Sequence, residues 1–116
     1  MNQYQQLAVA LERPESSMRA GDLWRQERPP EEAFKSAEPF CIDTMTLPQW
    51  LRFVFCARLR ESIEHGSALP QQSQVAPAAE LQLQGLSTGR RVPVLESLHD
   101  IDHVLNTGYL REQASS

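Results

Sequence analysis

Pro39-Phe40-Cys41-Ile42-Asp43-Thr44-Met45-Thr46-Leu47-Pro48-Gln49-Trp50-Leu51-Arg52-Phe53-Val54-Phe55-Cys56-Ala57-Arg58-Leu59 is the stretch around which the chain is organised. It holds three of the four Phe, one of the two Trp and both Cys, so it reads as a loop rising into a buried helix. Thr46-Leu47-Pro48-Gln49 has the form of a capping box, in which the Thr hydroxyl accepts the Gln49 N–H and the Gln49 side chain reaches back. Pro48 falls in the first turn, where a missing N–H does no harm. At helical spacing Trp50, Phe53, Val54 and Ala57 share one face, while Phe55, Cys56, Leu59 and Ile63 line roughly the opposite one. A helix apolar on nearly every side must be wrapped by neighbours. Arg58, Glu61, Ser62 and His65 then make one face polar, and Gly66 supplies the stop. The expected helix covers about 46–65, and truncating a buried Trp50 to Ala should cost about 3 to 5 kcal/mol.

Working outward, Tyr4, Leu7, Ala8 and Leu11 recur at amphipathic-helix spacing. Pro14 interrupts the hydrogen-bond ladder, but Met18 extends the stripe. The expectation is one kinked helix to about Ala20, ended by Gly21 in a left-handed conformation. From Asp22 to Phe40 the chain is polar and Pro-rich, a long connection pinned by Trp24 and Phe34, with one helical turn at Glu31-Glu32-Ala33-Phe34. Beyond the central helix, 67–76 reads as loop. Pro77 to Gln84 reads as a short helix with Pro at its first position and Gly85 after its end. Val94, Leu98, Ile101 and Leu105 mark a last helix that begins at about Arg90 or Pro93 and runs to Asn106, with Gly108 after it.

No alternating apolar pattern competes with these helices. The expected class is all-α: a small bundle of four to five helices around the central buried helix, about 46–65, which the first and last helices clasp. At 116 residues the chain has room for one core, so 1–116 is read as a single domain, with about 110–116 a disordered tail. No apolar run approaches the roughly 20 residues that span a bilayer, and the Gln-rich start lacks a secretory pattern; a cytoplasmic protein is expected. Net charge −4, a single Lys and Arg residues scattered among Glu argue against nucleic acid as a direct ligand. Cys41 and Cys56 have neither zinc-binding nor thioredoxin-like spacing and read as buried, reduced thiols.

Trp24, Pro29, Phe34, Ser36, Pro39-Phe40, Asp43-Thr44-Met45, Trp50-Leu51, Val54, Arg58, Leu69-Pro70, Ala76-Pro77, Glu80 and Ile101-Asp102 together resemble the YqcC-like family of small uncharacterised bacterial proteins. The resemblance covers the chain from Trp24 to about Leu105. It implies a helical bundle in a bacterial cytosol and no established activity. In some bacteria the gene of such a protein lies near one for a tRNA pseudouridine synthase, which implies a link to tRNA pseudouridine modification. Two positions depart from the family's pattern. Ala57 stands where many members have Pro, so the helix is expected to continue straight, and Arg52 stands where Gln is usual.

Asp43, Thr44, Arg58 and Glu80 match that pattern and, with Trp50, form the candidate binding surface. Arg58 offers a bidentate fork to a small anionic ligand. The structural reading weighs more: Asp43 caps the helix or pairs with Arg58, and Glu80 pairs with an Arg near a helix N-terminus. His99 and His103, with Asp102, stand at metal-ligand spacing, yet no third element is in view, so no metal is expected. No nucleophile motif or phosphate-cradling Gly loop occurs, and no catalytic residue or cofactor is assigned. The leading expectation is an interaction or accessory module that contacts another protein or a second copy of itself. The alternative is a small-ligand-binding protein or minor enzyme using a cleft near Asp43, Arg58 and Glu80; RNA binding comes third because it needs a basic surface.

Overall fold

A computed structural model describes residues 2–110; the tail expected from about 110 onward lies almost wholly outside the described residues. Every regular element among those residues is helical, as the periodicities require. Helix α1 (Gln3–Ala20) starts at Asn2, whose side chain accepts the Gln5 N–H while the Gln5 side chain accepts the Asn2 N–H, both at 2.9 Å. It runs unbroken through a buried Pro14, between Leu11 and Met18 on its inner stripe. Ala8, expected on that stripe, faces solvent, and Ala10 is buried instead.

The end of α1 differs from the expectation. Gly21 has φ −89°, and the left-handed residue is Asp22, at φ 59°. The Asp22 N–H reaches the Arg19 carbonyl and the Leu23 N–H the Met18 carbonyl, at 3.2 and 2.7 Å. Those two bonds are the Schellman pattern with Asp22 in the position usually given to Gly. The long connection then folds into two 3-10 turns, Glu31–Lys35 and Pro39–Cys41, with Trp24 buried and Phe34 half-buried as its anchors.

The central helix spans 47–65 but is not one regular ladder. It is α2 (Leu47–Trp50), a π-helical segment (Leu51–Cys56) and α3 (Ala57–His65). The capping box forms as read, with Gln49 N–H to Thr46 Oγ1 at 3.3 Å and Thr46 N–H to Gln49 Oε1 at 2.9 Å. The π turn is wider than an α turn, so it advances fewer degrees per residue and changes which side chains share a face. Ala57 therefore faces solvent and Trp50 and Phe53 are half-buried, while Leu51, Val54, Phe55, Cys56 and Leu59 are buried. The straight ladder expected from Ala57 is replaced by this wide turn. Gly66 ends the helix at φ 65°.

Helix α4 (Val75–Gln82) starts two residues before Pro77, and α5 (Thr88–Thr107) starts ahead of Arg90 and carries Pro93 inside it. Its stripe of Val94, Leu98, Ile101 and Leu105 is buried as the spacing predicts; each such side chain stabilises by about 1.5 to 3 kcal/mol from burial alone. Helices α1 and α5 pack most extensively on each other, with the Arg13 guanidinium paired to the buried carboxylate of Asp100. The composite helix lies against α1 through α3 and adds Leu51, Phe55, Cys56 and Leu59 to the same core. Helices α1 and α5 thus clasp each other, and the composite helix packs on α1 rather than being held between the two as expected. A smaller cluster of Ala33, Cys41, Met45 and Val54 seals the folded connection onto the composite helix.

Candidate functional site

The loop that enters the composite helix is built on two consecutive left-handed residues, Phe40 at φ 58° and Cys41 at φ 49°. For side chains of this kind the conformation costs on the order of 1 to 3 kcal/mol each and persists only where surroundings impose it. Here they do. The Cys41 carbonyl accepts the N–H groups of Thr44 and Met45, both at 3.0 Å. Thr44 Oγ1 donates to the Ala33 carbonyl at 2.7 Å, and the Ser36 hydroxyl donates to the Asp43 carboxylate. Cys41 and Met45 are buried between them in the smaller cluster.

The consequence is an aromatic ledge. The Phe40 ring meets Trp50 edge-on at 5.0 Å, and Trp50 stacks on Phe55 at 5.2 Å. Together with Val54 and Leu59 these rings line a cleft of about 350 Å³, closed across by the segment 70–75 through Pro70 and Val75. Arg58 is the only charged residue lining it and has no ion-pair partner among the described residues.

The far wall is held by a carboxylate. Asp102 of α5, 7% exposed, accepts Ser73 Oγ at 2.5 Å, the Val75 N–H at 3.1 Å and the Ala76 N–H at 2.8 Å. It therefore caps the first turn of α4, which is why that helix starts at Val75. Asn106 fixes the same segment with both its amide atoms, accepting the Ser73 N–H at 2.7 Å and donating to the Ser73 carbonyl at 2.9 Å. Asp102 is thus engaged with α4 rather than with His99 and His103.

Of the five residues of the candidate surface, Trp50 and Arg58 line the cleft, and Asp43, Thr44 and Glu80 do not. Asp43 neither caps the helix nor pairs with Arg58; with Thr44 it ties the loop to the preceding turn. Glu80 is exposed on α4 and has no ion-pair partner among the described residues. The cleft residues outside the candidate surface include Phe40, Val54, Phe55, Leu59 and Val75, and the sequence marks Pro70 only as a loop anchor. The Pro39-Phe40 motif marked Phe40, but its left-handed backbone had no Gly or Asn to announce it. Both thiols are free and buried, and burial pushes the Cys56 thiol up to about 11.

A sequence profile of the DUF446 family, described as tRNA pseudouridine synthase C, matches residues 6–104. The chain is 28% identical over 102 residues to the uncharacterised protein YqcC of Escherichia coli, covering 88% of this chain and 93% of that one. The chain belongs to the YqcC-like family. The solution NMR structure of E. coli YqcC superposes on this YqcC-like chain with a TM-score of 0.79 at 26% identity, over 99% of this chain and 97% of that one. An uncharacterised Haemophilus influenzae protein is 43% identical over 70 residues, which is 60% of this chain and 66% of that relative. A Pectobacterium carotovorum protein named tRNA pseudouridine synthase C is 39% identical over 70 residues, 60% of this chain but 18% of that relative's length. The YqcC-like chain therefore corresponds to a small part of that longer protein.

Proposed function

We propose that this YqcC-like protein is an accessory module that docks on a tRNA pseudouridine synthase through the aromatic cleft beside Arg58. One observation carries the reading. In the Pectobacterium relative a segment 39% identical to this chain shares one polypeptide with the much longer remainder of a protein named for that synthase. A segment that is joined covalently in the Pectobacterium protein and makes up 93% of E. coli YqcC is suited to associate without the link, because the link only raises effective concentration.

The cleft supplies the chemistry of contact. Phe40, Trp50 and Phe55 present a concave apolar surface held by the strained loop, and aromatic anchors of this kind dominate interface energetics. Arg58 on the same cleft, without a partner of its own, calls for a carboxylate next to an apolar side chain on the synthase. No group of three His, Cys, Asp or Glu converges among the described residues, and Asp43, Arg58 and Glu80 share no cleft, so docking is favoured over a small-ligand site built from those three.

Size-exclusion chromatography with light scattering tests the reading. Mixed with a tRNA pseudouridine synthase from the same bacterium, the chain should elute in a complex whose mass is the sum of the two. Elution of both unchanged contradicts it, and a dimer of the chain alone would assign the cleft to a second copy instead.

A further inference from the structure

The arginines that look scattered in the sequence gather at one place in the fold. Phe34, Arg28, Phe53, Arg52, Trp24 and Arg19 form a continuous ladder of alternating rings and guanidinium groups, with successive cation-to-ring distances of 4.9, 5.8, 5.0, 4.9 and 5.6 Å. Arg52 is fixed further by an Nη1–H bond to the Trp24 carbonyl at 2.6 Å. A guanidinium carries five N–H donors, so most of its fork stays free and already oriented. At the Trp24 end the ladder borders a cleft of about 520 Å³ lined by Arg19, Asp22, Trp24, Arg25 and Arg52.

The charges in this cleft are not balanced. Arg25 is exposed and has no carboxylate partner among the described residues, and Arg19 shares Glu15 with Arg60. The one carboxylate in the lining is Asp22, held there by its left-handed position at the end of α1. Three guanidinium groups around one acid, in a chain of net charge −4, form a local cationic site opposed by the rest of the molecule. Trp24 is buried under Arg19 and Arg52, so its ring is not free to stack on a base. What the cleft offers is charge and oriented donors, the recognition chemistry of phosphate.

We propose that the cleft formed by Arg19, Arg25 and Arg52 binds backbone phosphate of tRNA. The choice of RNA rests on the proposed association with a tRNA pseudouridine synthase; the phosphate chemistry rests on the cleft alone. Asp22 opposes the phosphate and sets the affinity low, so the contact acts in addition to the synthase's own grip rather than in place of it.

Fluorescence anisotropy with a labelled tRNA transcript and the chain alone, without synthase, separates this contact from docking. Binding should be measurable at about 50 mM salt and weaken steeply as salt rises. Arg25→Gln should weaken it about 3- to 10-fold and make the slope of log K against log salt shallower by about 1. Lys35→Gln, an equal loss of charge at an exposed residue that lines neither cleft, should change it less than about twofold. Asp22→Asn keeps a residue that tolerates the left-handed conformation and should tighten binding about 3- to 10-fold. Absence of binding at low salt, equal effects of Arg25→Gln and Lys35→Gln, or binding of polyglutamate in preference to tRNA would each overturn the proposal, whatever the outcome with synthase.

Discussion

Asp102 Oδ2 accepts the backbone N–H of Ala76 at 2.8 Å, so the last helix caps the one before it and anchors the far wall of the aromatic cleft. The same carboxylate holds Ser73 and Val75. Asp102→Ala would leave two helix N–H groups and a buried hydroxyl without their acceptor, and each unsatisfied buried group costs about 1 to 3 kcal/mol. Allowing for water entering the site, the expected loss is about 2 to 4 kcal/mol by urea denaturation. Asp102→Asn keeps an acceptor oxygen and should recover part of it.

Trp50 occupies the middle of the Phe40–Trp50–Phe55 ledge and is half-buried. Truncating a fully buried ring costs about 3 to 5 kcal/mol; with one side facing the cleft, the expected cost of Trp50→Ala falls to about 2 to 3 kcal/mol. The ring's exposure also gives a readout. Its fluorescence should be quenched by acrylamide more strongly than that of the buried Trp24, which the single-Trp variants Trp24→Phe and Trp50→Phe would compare.

Cys56 sits in the shared core with its thiol pushed up to about 11 by burial. Because the folded state holds the proton more tightly than the unfolded chain, this thiol's contribution is fully present below the unfolded pKa of about 8.5. It declines as pH rises through the interval up to about 11. Cys56→Ala would create a cavity and lower stability at neutral pH, but should flatten the decline of stability between pH 9 and pH 11. Measuring melting temperature against pH for both proteins checks the sign, and an equally steep decline in the variant would exclude Cys56 as its source.

The Thr46 hydroxyl caps α2 through Gln49. Thr46→Ala should cost about 1 kcal/mol, visible as a lower denaturation midpoint with an unchanged slope.

The parts of this fold legible in the sequence are those written in local spacing: the stripe Val94–Leu98–Ile101–Leu105, the Thr46–Gln49 box and the stops at Gly66 and Gly108. Features set by partners distant in sequence were not legible. Asp102 reaches back 26 to 29 residues to cap α4 and hold Ser73, whereas local spacing alone places the start of that helix at Pro77. The π turn at Leu51–Cys56 has no Gly or Pro to mark it, and it moved Ala57 out of the predicted apolar face. At the site, Trp50 and Arg58 came together as neighbours on one helix. Asp43 and Glu80 carried charge but no information about where it would lie, and the fold placed both elsewhere. The arginine ladder joins positions 19 to 53 through a folded connection, so linear charge density concealed it.

Arg58 is the most direct probe of the docking proposal, because it is exposed, makes no ion pair among the described residues, and can be reversed in charge without emptying the core. The decisive measurement is isothermal titration of a tRNA pseudouridine synthase from the same bacterium with the wild-type chain and with Arg58→Glu. Saturable binding by the wild type, with affinity at least 10-fold weaker for a variant of unchanged melting temperature, is the predicted result. No heat of binding with the wild type, or equal affinity for the two proteins, would contradict it.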